Sequence, residues 1–336
     1  MHTEAYVGAK NNACASLSMP LATVKVLESD KNIRIDRWFK RHLSHVTFTQ
    51  VAKLVRQGRI RVNGFKVNVS TRVQAEQDIS FPGELTVVPS TPHIKVISNK
   101  HKTELVKKLK EAILYKDSDI IAFNKAEGMS VQGGTNVHIA IDDVLDEFRF
   151  EAAERPRLVH RLDRNTTGVL IIARTREAAS LVSESIRNHM MSKEYIAILH
   201  GVPQPMTGQI TAPILLRSEH VEQPKLLESL SLYEVLAYLK DKVSLVKFQP
   251  QTGRKHQLRL HALHIGHPVL GDERYGSQPL QQGIKERLYL HSYVTKINYR
   301  EKAITVKAPL PAYFSEALSV LGLDISRLSY ITKKDL

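Results

Sequence analysis

The chain has little cysteine, no long apolar run and, over one stretch, almost no acid. Its single cysteine among 336 residues, Cys14, forms neither an internal disulfide nor a cysteine-based zinc site, which excludes a disulfide-stapled fold and fits a reducing compartment. No apolar run approaches the roughly 20 residues of a membrane span. Residues such as Gly168–Ala173 reach only the length of a strand. The first 25 residues show no basic start followed by an apolar stretch, so no secretory signal is expected and the chain reads as soluble and cytoplasmic. Neither G-x-G-x-x-G nor G-x-x-x-x-G-K-[ST] occurs, so the two common glycine-rich phosphate loops are absent.

What is present is positive charge. A length of 336 residues predicts two domains of unequal size, and 48 Lys and Arg against 34 Asp and Glu predict a polyanionic partner. The charge is concentrated: residues 31–72 hold 11 Lys and Arg against one acid, Asp36, or +10 of the formal +14. This stretch also carries fold signals. In "IDRWFKRHL" (35–43) Ile35, Trp38, Phe39 and Leu43 share a helical face, as do Val51, Leu54 and Val55 in "TFTQVAKLVRQG" (47–58), which stops at Gly58. "RIRVNGFKVNV" (59–69) places two β runs around Asn63-Gly64, a strong hairpin signal. With the apolar faces packed together, Arg37, Lys40, Arg41, Lys53 and Arg56 turn outward as a phosphate-binding surface, a better reading of ten excess charges than an ordinary solvated face. The segments "RIDRWFKRHL", "VAKLVRQGRIRVNG" and "VQAEQDISFP" resemble the small RNA-binding module named after ribosomal protein S-four. That resemblance implies structured RNA, held by shape and phosphates.

The expected organisation is a poorly ordered extension (1–30), the RNA-binding module (31–90), a Pro- and Lys-rich linker with a helical piece (91–116) and a second domain (117–325). In the second domain "DIIAF", "GVLIIA", "EYIAIL", "LYEVLAYL", "VSLVKF" and "AITVKA" read as strands, and 138–148, 176–190 and 255–265 have helical spacing. The irregular order favours an α+β fold with a mixed, largely antiparallel sheet.

One acid stands out. In "LVHRLDRNTTGVLIIA" (158–173), Asp163 lies between Arg161 and Arg164. A calcium loop is rejected, because its twelfth position is Arg174 instead of a bidentate Glu. Two readings remain: a surface ion pair of little worth, or a catalytic carboxylate kept ionised by Arg161, Arg164 or another cation. Four histidines in 256–267 invite a metal reading, but they sit among cations with no acid in the run, and a basic RNA-facing cluster is the better account.

"NKAEGMSVQGG" (124–134), "HRLDRNTTGVLIIA" (160–173), "KEYIAILHG" (193–201) and "QTGRKHQLRLHALHIGHPVLGDERYG" (251–276) resemble, in order and spacing, the motifs of the RluA-type pseudouridine synthases. With the basic module the resemblance covers about residues 30–320 and is most similar to the large-subunit ribosomal RNA synthases of the RluC kind. Ala126, Asn165 and Lys255 depart from the family pattern. The resemblance implies a pseudouridine synthase domain that isomerises uridine in large-subunit ribosomal RNA without a cofactor. The RNA is free or in an assembly intermediate, and the enzyme acts as a monomer that touches no membrane. It implies that Asp163 is the catalytic aspartate, that Tyr195 stacks on the target uracil and relays a proton, and that Arg259 is the buried basic partner of Asp163. Arg161 replaces the flipped nucleotide, Arg164 and Arg254 meet phosphates, and His160 and Leu162 hold the loop. Two alternatives stand beside it: a non-catalytic RNA-binding assembly factor, and an RNA methyltransferase, for which "VQGGTN" is a poor cofactor loop.

Overall fold

In the N-terminal unit the apolar stripes of two short helices close over a small sheet. The computed structural model describes residues 21–43, 45–87, 99–134, 137–216, 225–276 and 282–323, and contacts divide the chain into residues 1–96 and 97–336. The first unit runs β1 (Leu21–Lys25), α1 (Ile35–His42), α2 (Phe48–Arg56), β2 (Arg61–Val62), β3 (Phe65–Lys66) and β4 (Asp78–Pro82), with sheet order β1-β4-β2-β3. A capping box between Thr47 and Gln50 starts α2 by satisfying free backbone N–H groups at its first turn. The Asn63-Gly64 turn takes positive φ at both residues, as the sequence predicts. Trp38, Phe39 and Phe81 meet edge-on in the core, the Phe39 and Phe81 centroids lying 5.2 Å apart.

Two expected boundaries are corrected. Residues 21–30 are not a loose extension: β1 pairs antiparallel with β4 from Leu21↔Pro82 to Lys25↔Asp78, and Val26 and Asp30 are buried. The short edge strand lacks the dense charge that marks the rest of the module, so composition hides it. Residues 1–20 lie outside the described residues, as do 88–98 and 324–336. The expected linker is also partly structure, because α3 (Asn99–Glu111) and β5 (Ile113–Lys116) belong to the second unit. Leu105 and Leu109 sit four apart on α3 and enter its core, an apolar stripe obscured by six neighbouring Lys and His side chains.

After β5 come β6 (Ile120–Lys125), β7 (Arg157–Leu158), β8 (Thr167–Ala173), α4 (Arg176–Arg187), β9 (Met191–His200), β10 (Thr207–Thr211), β11 (Ile214–Leu216) and β12 (Lys225–Leu227). They are followed by β13 (Leu230–Leu239), β14 (Val243–Pro250), α5 (Gln257–His264), β15 (Leu290–Tyr299), β16 (Lys302–Lys307) and α6 (Ala312–Val320). The main sheet has ten strands in the order β10-β13-β14-β9-β15-β8-β6-β5, with β16 on β15 and β7 on β8. Every pairing is antiparallel except β8 with β15, so the expected mixed, largely antiparallel α+β architecture is the one found. The segment 141–148, expected as helix, is a 3-10 helix.

Strand alternation gives the sheet two buried faces, which is why "GVLIIA" reads as continuously apolar. Ala197, Leu199, Leu170 and Ile172 face one core, with α3, the 3-10 segment and Leu258 and Ala262 of α5. Ile196, Ile198, Val169 and Ile171 face the other side, covered by α6 and α4. Leu162, in the loop that leads into β8, and the face of β9 that carries Tyr195 belong to the first of these sides, and the candidate site lies there.

Candidate active site

Asp163 sits in the loop that joins β7 to β8, and four separate anchors hold that loop. His160 Nε2 accepts from the backbone N–H of Ile171 at 2.9 Å, tying the loop to its own strand, and Leu162 is buried in the core. The ammonium of Lys125, at the end of β6, donates to the carbonyls of Ala126, Met129 and Arg164 at 3.0, 3.1 and 3.0 Å, joining the 125–129 loop to the Asp163 loop. Burial pushes Lys125 down to about 7, while Asp163 and Glu127 favour its charge. His291 fixes the start of β8. Burial lowers its pKa to about 4, so it is neutral; Nε2–H donates to the Ala308 carbonyl at 3.2 Å, which leaves Nδ1 to accept from the Thr167 hydroxyl at 2.8 Å. Gly168 then passes against β15 at φ +102°, where a Cβ would stand 2.1 Å from the Ser292 carbonyl oxygen. Only glycine fits there.

A cleft of about 400 Å³ opens over this loop, a volume suited to a small ligand or an extruded nucleotide. Asp163, Tyr195, Arg259, Arg161 and Arg254 all line it. The Asp163 carboxylate is 18% exposed, with His256 Nε2 at 3.7 Å and an Arg259 guanidinium nitrogen at 4.0 Å. Arg259 spends its fork elsewhere: Nε and one terminal nitrogen donate to Asp272 at 2.6 Å each. The Asp272 carboxylate is fully buried and also accepts from the backbone N–H groups of Arg274 and Tyr275 at 3.0 Å. Burial disfavours the Arg259 charge, but Asp272 and then Asp163 more than offset this and raise its pKa. Tyr275 stacks under the guanidinium with its ring centroid 5.0 Å away and pairs with His256 Nδ1 at 2.8 Å. Burial lowers the His256 pKa, with Asp163 opposing and Arg259 reinforcing. Burial pushes the Tyr195 phenol up to about 12, so it stays protonated.

A carboxylate in a cationic cleft beside a buried phenol is where the chain can be compared with known proteins. Residues 119–264 match the RNA pseudouridylate synthase family and residues 33–79 match the S4 domain. The ribosomal large subunit pseudouridine synthase C of Buchnera aphidicola subsp. Schizaphis graminum is 31% identical over 319 residues, covering 90% of this chain and 98% of that protein. The protein of the same name from Rickettsia typhi is 30% identical over 297 residues, covering 85% of this chain and 96% of its own. The chain belongs to the RNA pseudouridylate synthase family. The solved structure of human RNA pseudouridylate synthase domain containing 4 is similar in fold, with a TM-score of 0.59 and 28% identity over 67% of this chain and 98% of that one.

Within this synthase, three expectations about the site change in geometry. Arg259, expected as the buried basic partner of Asp163, stands 4.0 Å from it and closes its fork on Asp272 instead, because a fully buried carboxylate needs the fork more than a partly solvated one. Arg164 is turned away from the cleft: its Nε donates to the Gly128 carbonyl at 3.1 Å, and it borders an open groove with Glu127 and Arg287. Neither Arg161 nor Arg164 lies within ion-pair distance of Asp163 among the described residues, so the nitrogen groups nearest the carboxylate come from α5 and its N-cap. His256, Asp272 and Tyr275 were not singled out by sequence. The signal was the "GDERYG" stretch after the histidines, an acid arriving just beyond a run that otherwise lacks one.

In the N-terminal unit Arg37, Lys40, Arg41, Lys53 and Arg56 are all exposed, as expected. Arg41 is nonetheless engaged, donating to the buried Asp30 carboxylate at 2.6 Å, which His42 Nε2 also contacts. The side chains of Arg37, Lys40 and Lys53 make no hydrogen bond or ion pair among the described residues. No helix of the described residues is long and apolar enough to cross a membrane.

Proposed function

We propose that this synthase converts uridine to pseudouridine in large-subunit ribosomal RNA and that Asp163 is its catalytic carboxylate. The observation that carries this reading is that, among the described residues, Asp163 is the only acid lining a cleft whose border includes Arg161, Lys193, Arg254, His256 and Arg259. The relatives that match nearly end to end carry the ribosomal large subunit in their names. In the reaction the bond from the ribose anomeric carbon to a ring nitrogen breaks, the uracil turns, and a ring carbon takes its place. One proton leaves that carbon and one returns to the freed nitrogen, so no redox partner or group donor enters the balance. The carboxylate supports the step by bonding to the anomeric carbon or by balancing its positive charge as uracil departs. Arg259, held by Asp272, orients and balances Asp163 without blocking its free oxygen. Tyr195, on β9 in the lining of the same cleft and with its proton retained, offers a face for the uracil and an O–H donor. Arg161 fills the space left by the extruded base, and Arg254, together with Arg37, Lys40 and Lys53 of the N-terminal unit, meets phosphates.

The test is a map of pseudouridines in large-subunit ribosomal RNA from cells with and without the gene, repeated with naked transcript and purified protein. A position that is modified only when the protein is present supports the reading. An unchanged map, with RNA binding intact, favours a non-catalytic assembly role.

A further inference from the structure

One part of the cleft, here called a lobe, is lined from the end of α4 and the start of β9 by residues that the chemistry at Asp163 leaves unused. Successive side chains alternate across a strand, so Lys193 and Tyr195 of β9 stand on one face, roughly 7 Å apart along the strand. Lys193 lines the lobe with Ile186, Arg187, His189 and Met191, from the end of α4 and the start of β9. Among the described residues the lobe therefore holds three basic side chains and no acid. Arg187 and His189 are exposed, whereas Lys193 is only partly so. Among the described residues the Lys193 ammonium makes no hydrogen bond or ion pair. Asp163 supports the charge on Lys125, His256 and Arg259, but no acid supports the charge on Lys193, and burial alone pushes its ammonium down to about 8. An ammonium partly withdrawn from water with no counter-ion is half of an ion pair, and the fold bears part of that cost whenever the cleft is empty.

We propose that Lys193 binds a phosphodiester oxygen of the RNA strand that carries the target uridine, so that the lobe is a backbone subsite beside the reacting nucleotide. The inference rests on the RNA-modifying reading of the same cleft. A phosphate is favoured over a uracil carbonyl because a neutral carbonyl needs one donor, whereas three basic groups without an acid match an anion. A lysine supplies a point charge that does not require one fixed orientation. The strand spacing also suits it: with the uracil against Tyr195, a group two residues along β9 is about as far away as the backbone of the same nucleotide.

The experiment measures binding of in vitro transcribed large-subunit ribosomal RNA over a range of salt, with Asp163→Asn in every protein so that turnover plays no part. Adding Lys193→Met is expected to weaken binding on the order of tenfold and to make the plot of log affinity against log salt shallower by roughly 0.7 to 0.9, the loss of one phosphate contact. Lys193→Arg should keep the slope. In a short hairpin around the mapped uridine, a neutral methylphosphonate at one flanking phosphate should weaken the Lys193 protein and leave the Lys193→Met protein unchanged. The hairpin measurement stands even if Lys193→Met fails to fold: when no flanking methylphosphonate weakens binding by the protein that retains Lys193, the proposal fails. An unchanged slope for Lys193→Met, with a lower single-turnover rate when Asp163 is restored, overturns it in favour of a contact to the base. Absence of pseudouridine from the wild-type protein would sink the functional reading separately, since the binding arms do not depend on turnover.

Discussion

At the scale of single residues, Asp163 is placed so that its charge is useful without being consumed. Its nearest cationic group, one nitrogen of Arg259, stands at 4.0 Å, beyond hydrogen-bond length, while the Arg259 fork is closed on Asp272. A bidentate bond to Asp163 would have occupied both carboxylate oxygens and lowered their reactivity. Asp163→Asn keeps the size and an acceptor but removes the charge, and it is expected to lower the single-turnover rate of pseudouridine formation on the order of a thousandfold or more with little change in RNA affinity. Rate and filter-binding measurements on the same preparation check this; substantial product from the Asn variant would end the catalytic assignment. The position of Arg259 gives a different expectation. Arg259→Ala strands the fully buried Asp272, so it should cost about 3 kcal/mol in denaturant unfolding as well as activity. Arg259→Lys should recover stability only in part, because an ammonium replaces one prong of the fork and loses the stacking on Tyr275. Equal stability of the Ala variant and the wild type would show that the Asp272 pair is not structural.

At the scale of elements, the loop that carries Asp163 is only as well placed as the strands that hold it. β8 is clamped on one side by Lys125 at the end of β6 and on the other by the Thr167–His291 hydrogen bond and the close pass at Gly168. The His291 clamp is sensitive to acid. Its folded pKa of about 4 lies below the ordinary 6.5, so the unfolded chain binds a proton that the folded chain refuses; stability is fully present above about 6.5 and is lost as the pH falls toward 4. The shift corresponds to about 3 kcal/mol over that window. His160, pushed in the same direction by burial, adds to the same slope. Unfolding free energy measured from pH 7 to 4 should fall accordingly, and His291→Gln should flatten part of that fall; an identical slope in the variant would show that His291 is not the titrating group. Elements with strong local signals were legible from sequence, namely α1, α2, the Asn63-Gly64 hairpin, β6, β8, α4, β9, β13, β14, α5 and β16. Those overlooked had weak ones. β15 passes through "HSYVTKINY", where polar residues such as His291, Ser292 and Thr295 are buried because neighbouring strands satisfy or cover them, so its pattern does not look apolar. α3 hides two core leucines among lysines, and β1 is a five-residue edge strand whose partner lies more than 50 residues away.

At the scale of the whole molecule, charge and chemistry are carried by different parts of the chain. Residues 31–72 of the N-terminal unit hold +10 of the formal +14, and the side chains of Arg37, Lys40 and Lys53 present that charge without internal partners among the described residues. Replacing these three with glutamine should weaken RNA binding and reduce the salt slope by roughly two to three, while the rate at saturating RNA changes little because none of the three lines the cleft that holds Asp163. An unchanged slope would remove the module from the binding account. Division of labour of this kind is visible in the sequence, since charge density, helical period, the hairpin pair and the order of the four motifs are local properties that survive without coordinates. They determined the α+β class, the basic module, the family and the candidacy of Asp163, Tyr195 and Arg259. Tertiary structure alone decided which partner each charge takes. Asp272 captures the Arg259 fork, His256 faces Asp163, Arg164 turns to Gly128, Arg41 closes on Asp30, and Lys193 is left with no counter-ion. The reason is that pairing depends on distances of a few ångströms and on the water excluded around each group, and both are set by strands and loops distant in sequence.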